Sequence, residues 1–183
     1  MENLQILMVH TPFNWKRPLT IISHLIRKVT CHFFNHGSVR ILLEGKWFIV
    51  ESDIKGVILI PYEDWVKEQI VDVWIPPNAH EIEAANLPFN NKTVRQRLLS
   101  KVGKTKYDFL SLFWFMLVYK LTGKFYGFTS ERKATKTLYC FEYIAWAFGY
   151  KEWFKVDGGA METALKENSA WRKHNRIHAK ELL

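Results

Sequence analysis

Cysteine is nearly absent from this chain, with Cys31 and Cys140 alone among 183 residues. Two thiols close at most one bridge, so no disulfide framework holds the fold and a reducing compartment is the simpler expectation. The paired Cys-x-x-Cys of structural zinc is missing. His24, Cys31, His32 and His36 fall near one another in sequence, yet without that framework no metal site is expected. Nor is there a glycine-rich phosphate loop, a Gly/Ser linker, a repeat or a low-complexity stretch, so no nucleotide or other cofactor is expected. One domain over residues 1–183 follows, long enough to bury about two-thirds of its unfolded surface without staples.

Long hydrophobic runs are lacking too. The most membrane-like segment, Phe109 to Tyr119, has 11 residues between Asp108 and Lys120, where a spanning helix needs about 20. A buried helix is expected there, with insertion into a membrane interface as the alternative. No charged-then-apolar leader opens the chain, because Glu2 precedes a short strand-like run and Pro12 follows soon after. A cytoplasmic place by default, or delivery by lysis or inside a particle, is the matching expectation.

Acidic residues are outnumbered, 18 against 26 Lys and Arg, for a formal net charge of +8. That surplus suits an anionic surface such as phospholipid or cell-wall polymer. Specific nucleic-acid binding is not expected, since the tryptophans do not interleave with basic residues as a stacking platform would.

The apolar pattern puts strands first and helices later. Leu4 to Val9, Val39 to Glu44, Trp47 to Ser52, Gly56 to Ile60 and Ile70 to Ile75 read as strands, with a hairpin turn at Gly45-Lys46. Helical patterns follow at Pro18 to Val29, around Tyr62 to Lys67, at Ala79 to Asn86, Lys92 to Val102, Tyr107 to Leu121 and Cys140 to Phe148. Residues 127–136 read as a polar loop, and 150–183 as a helical C-terminal extension. This order predicts an α+β fold with an antiparallel sheet packed against helices.

Cys140 opens an apolar helix that Gly149 closes. A thiol there faces unpaired amides and the positive end of the helix dipole, which favours the nucleophilic thiolate. The amide of Cys140 also stands ready to donate to an oxyanion. The competing reading is a small buried side chain in the core.

A nucleophilic cysteine needs a base and a group to orient it. His36, before the first hairpin strand, is the leading base, and Glu51, on the returning strand, the leading orienter. A turn at Gly45-Lys46 sets Glu51 opposite Arg40, four residues short of His36, so direct contact requires a longer loop or a bulge at Gly37. Trp15 and Tyr107 are candidate aromatic walls of a cleft, with ordinary packing as the alternative for each.

A strand-end His36, a hairpin closing on Val50-Glu51-Ser52, a later Gly103-Lys104-Thr105-Lys106-Tyr107-Asp108 and Cys140-Phe141-Glu142 at a helix start resemble the circularly permuted NlpC-type papain-fold hydrolases, the YiiX-like branch. The resemblance covers about Leu4 to Gly149. It implies a single permuted papain-like domain, Cys140 as nucleophile, His36 as base, Glu51 as third member, and Glu142 as the acid two residues on that bonds backbone or lines the cleft. It also implies hydrolysis of an amide in a peptidoglycan-type peptide. The alternatives are a lipid acyl hydrolase or transferase, and a non-catalytic cell-wall-binding or structural protein that keeps the fold. Two departures stand out: Phe141 replaces a smaller serine, and Gly37-Ser38 interrupts the apolar residues expected after the histidine.

Overall fold

The computed structural model describes residues 3–12, 24–25, 27–29, 32–66, 69–87, 89–122, 136–174 and 176–182. Most of the helix expected over Pro18 to Val29, and nearly all of the loop expected at 127–136, lie outside these residues. The strands are β1 (Leu4–His10), β2 (His36–Leu43), β3 (Lys46–Asp53), β4 (Gly56–Pro61), β5 (Ile70–Ile75), β6 (Arg172–Lys173) and β7 (Ile177–His178). Helices are α1 (Tyr62–Trp65), α2 (Ala79–Ala84), α3 (Asn91–Lys101), α4 (Phe109–Thr122), α5 (Cys140–Ala147) and α6 (Gly158–Glu167). The protein is therefore α+β, with helices packed on an antiparallel sheet.

Among the described residues the strand order is β4-β3-β2-β1-β5-β6, with β7 also paired to β5, and every pairing is antiparallel. Period-two alternation gives the sheet two apolar faces. On one, Ile6, Met8, Val39, Ile41 and Val50 pack with α5, α3 and α6 in the main core. On the other, Leu7, Val9, Ile49, Val71 and Val73 meet Tyr62 and Trp65 of α1 and Ala179 near the C-terminus. Tyr62 Oη donates to the Ala179 carbonyl at 2.6 Å, and Arg40, stacked between the Trp47 and Tyr62 rings at 4.2 Å from each, donates to the Leu182 carbonyl at 2.6 Å.

The extension expected to be helical over 150–183 is helical only in part. α6 forms, capped by Asp157, whose Oδ1 accepts from the Ala160 amide at 2.7 Å. Beyond Ser169 the chain instead pairs with β5 and then turns into a short 3-10 helix over Ala179–Leu182. The free edge of β5 captures this segment, and Asp72, buried on β5, holds it through Lys173 Nζ at 2.5 Å and Arg176 Nε at 2.9 Å.

α4 also departs from expectation. Phe113, Trp114, Leu117 and Leu121 are exposed, so the face of this helix that they form is not buried in the core. No described helix is long and apolar enough to cross a membrane.

Candidate active site

The hairpin between β2 and β3 sets the site. Its turn lies at Glu44 and Gly45, whose φ values of 49° and 79° fit the two-residue turn that matches strand twist. Leu43 faces Lys46 and Val39 faces Val50. The expected turn was one residue later, and moving it back by one shifts the partner by two. Continuing the ladder sets Glu51 beside Ser38 rather than Arg40, and diagonal to His36. Such diagonal neighbours on one face are about 7–8 Å apart at the backbone, within reach of two long side chains.

No bulge is needed. Gly37 pairs regularly with Met8 and His36 with Val9. Three donors converge on one oxygen, Glu51 Oε2: His36 Nε2 at 2.9 Å, Ser38 Oγ at 2.6 Å and Trp65 Nε1 at 3.0 Å. Burial favours a neutral carboxyl, but the charge on His36 and these hydrogen bonds prevail and hold Glu51 below its ordinary value.

His36 is 22% exposed and Glu51 8%. Burial of the ring opposes its charge, yet the charge of Cys140, the charge of Glu51 and hydrogen bonds to both side chains outweigh that cost. His36 is held well above the usual histidine range. Nε2 is engaged by Glu51, so Nδ1 is the ring nitrogen outside that bond.

Cys140 is the first residue of α5 and is buried. Both backbone groups of Leu138, two residues before it, are held: Ser52 Oγ donates to the Leu138 carbonyl at 2.6 Å, and the Leu138 amide donates to Lys106 O at 3.1 Å. Consecutive residues of β3 thus fix both halves of the site. Glu51 orients the histidine from one face of the sheet, while Ser52 anchors the approach to the cysteine from the other. The segment around Lys106 is itself tied to β4, through the Val57 amide on Thr105 O and the Gly103 amide on Val57 O, each at 2.9 Å.

Glu142, fully buried, accepts from the Tyr139 amide at 3.3 Å, a capping bond across the first turn of α5. Tyr107 borders the thiol. Burial first, then the charges of Cys140, Glu142, Asp53 and Asp108, push its hydroxyl well above the ordinary phenol range, so it stays a neutral donor. Trp15 lies outside the described residues.

Three contributors were not anticipated: Ser38, Ser52 and Trp65. Ser38 carries a signal, being two residues from His36 on the same strand face. Trp65 carries none, because only tertiary packing brings α1 over β3. Among the described residues no cluster of His, Cys, Asp and Glu could hold a metal ion. A surface concavity lined by Asn3, Asn78, Asn91, Arg95 and Leu99 sits at the opposite end of β1 from His36 and takes no part in the site.

The chain matches no protein-family model, and no curated protein matches it in sequence. The site brings together a cysteine at a helix start, an imidazole whose charged form its neighbours favour, and a buried carboxylate bonded to that imidazole.

Proposed function

We propose that this protein is a cysteine hydrolase that cleaves an amide bond, in a peptidoglycan-type peptide, through a Cys140-His36-Glu51 site and an acyl-enzyme. The observation that carries the proposal is His36, bonded to Glu51 at 2.9 Å through Nε2 and close enough to Cys140 for that side chain to favour its charged form. The order of elements, histidine strand before cysteine helix on an antiparallel sheet, supports a permuted papain-like arrangement.

In this mechanism Cys140 gives its proton to His36 Nδ1, and the sulfur attacks the scissile carbonyl carbon. The first-turn amides of α5, unsatisfied within the helix, donate to the oxyanion. The C–N bond then breaks as His36 protonates the departing amine. His36 next takes a proton from water, whose oxygen attacks the thioester, and the acid leaves with Cys140 restored. Glu51 stays ionised throughout and stabilises the imidazolium. The net charge of +8 suits an anionic polymer as substrate.

One observation favours a second substrate class. α4 begins two residues after Tyr107 and exposes large apolar side chains, a setting suited to a lipid acyl ester. Incubating the wild type and Cys140→Ala with peptidoglycan fragments and with lipid esters, and reading products by mass, separates these outcomes. Release of new termini by the wild type alone supports the amidase; ester cleavage alone selects the lipid class; no product from either marks a scaffold without this activity.

A further inference from the structure

α4 is the most exposed apolar feature of the described protein. Phe113, Trp114, Leu117 and Leu121 are 66%, 40%, 41% and 75% exposed, and they account for most of the large hydrophobic side chains exposed in the described residues. Phe113, Leu117 and Leu121 recur every fourth residue and Trp114 adjoins them, so the four form one stripe. Among the described residues, the backbone of α4 makes no extensive contact with another named element. Its 14 residues span about 21 Å at the helical rise, too short to cross a bilayer core of about 30 Å and long enough to lie along its surface.

Charge decides what covers the stripe. Residues 101–136 hold eight Lys or Arg side chains against two acids, Asp108 and Glu131. Asp108 is buried and accepts from Thr137 Oγ1 at 3.0 Å, whereas Lys104, Lys106, Lys120 and Lys136 are exposed. A second copy of this chain on the same stripe would bring two such basic clusters together. An anionic surface neutralises them while its acyl region takes up the apolar side chains.

We infer that α4 is a docking surface for an anionic phospholipid bilayer, with the stripe of Phe113, Trp114, Leu117 and Leu121 in the acyl boundary and the flanking lysines among the headgroups. Binding of this kind is independent of any chemistry at Cys140, so Cys140→Ala binds as the wild type does.

The test uses the full chain with sedimented vesicles of phosphatidylcholine, with and without phosphatidylglycerol. Expected is binding to the phosphatidylglycerol vesicles that weakens as salt rises, and a loss of about tenfold or more in partitioning for Leu117→Ser/Leu121→Ser. Brominated lipid should quench the wild type more than Trp114→Phe, a readout that holds even if the serine variant folds poorly. No binding by the wild type, or equal quenching of wild type and Trp114→Phe, overturns the inference. So does a dimer that the serine variant converts to a monomer in the absence of vesicle binding, since a second copy would then be the occupant.

Discussion

The Phe141 ring fills the space that a side chain at Gly37 would need: a Cβ built there would lie 2.8 Å from Phe141 Cε1 and 2.8 Å from Ile144 Cδ1. Gly158 forms the other side of the socket, where a Cβ would stand 3.1 Å from the same ring. The two departures from the NlpC-type pattern that the sequence resembles are thus one exchange of volume. The large residue after the cysteine is matched by the missing side chain after the histidine, and the ring packs in the main core beneath the sheet.

Gly37→Ala should therefore destabilise the fold by about 1–3 kcal/mol, the usual cost of overpacking a core. Phe141→Leu in the same chain should recover part of that loss, because the socket regains room. Chemical denaturation of the two single variants and the double variant gives the coupling. Strict additivity would show that the contact does not matter.

His36 should titrate well above 6.5 in the folded protein, as read from its ring protons by NMR. Cys140→Ala and Glu51→Gln should each lower that value, since each removes negative charge that favours the imidazolium. The sign for stability follows by linkage: the raised His36 contributes stability that is complete below 6.5 and is lost as pH rises through its folded value. Glu51, lowered from 4.5, contributes above that value and loses its contribution as pH falls through the folded one. Titration of His36 at or below 6.5 would remove the relay.

Glu51→Gln should reduce kcat on a cleaved acyl substrate by about 10²-fold to 10⁴-fold, with less effect on KM, as expected when a base loses its orienting carboxylate. Trp65→Phe keeps an apolar ring but removes one donor to Oε2, so a smaller loss of kcat should accompany a Glu51 titration displaced upward. Carbon-13 NMR of the carboxylate checks the displacement. An unchanged titration would assign Trp65 to packing alone.

Ser52→Ala should cost about 1 kcal/mol or more in stability, because the buried Leu138 carbonyl loses its hydroxyl partner. Alkylation of Cys140 by iodoacetamide should change in the same variant, as the approach to α5 is released from β3. A rate equal to the wild type would show that this anchor does not position the cysteine.

Asp72→Asn should destabilise by about 1–3 kcal/mol at neutral pH, since Lys173 and Arg176 lose a fully buried carboxylate. Burial alone would raise Asp72, but its bonds and charges from Arg176 and Lys173 hold it below 3.8. That stability is present above 3.8 and disappears as pH falls through the folded value. Denaturation curves of variant and wild type should therefore converge in acid.

Much of this was legible in the residues themselves. β5 spans Ile70–Ile75 as its apolar run suggests, and α5 begins at Cys140 and ends near Gly149, whose φ of 77° suits the residue that closes a helix. His36 could be chosen because it precedes the apolar run from Val39, and β2 itself begins three residues earlier than that run, at His36. The hairpin was visible, but its register was not: Gly45 fits a turn at either of two positions, and local propensity hardly separates them. The tail beyond Ser169 reads as helical because a strand of two residues has no period to detect. Its pairing exists only where the β5 edge is available.

By itself the sequence determined the α+β order, a strand following His36 and the apolar helix that begins at Cys140, since these depend on local periodicity and on glycine and proline. Tertiary structure alone decided that Glu51 reaches His36, that Trp65 and Ser38 join it, and that α4 turns its aromatic stripe outward. The physical reason is the same in each case. A pattern of apolar residues shows what an element can bury, but only the packing of distant segments determines which surfaces meet and which are left facing the solvent.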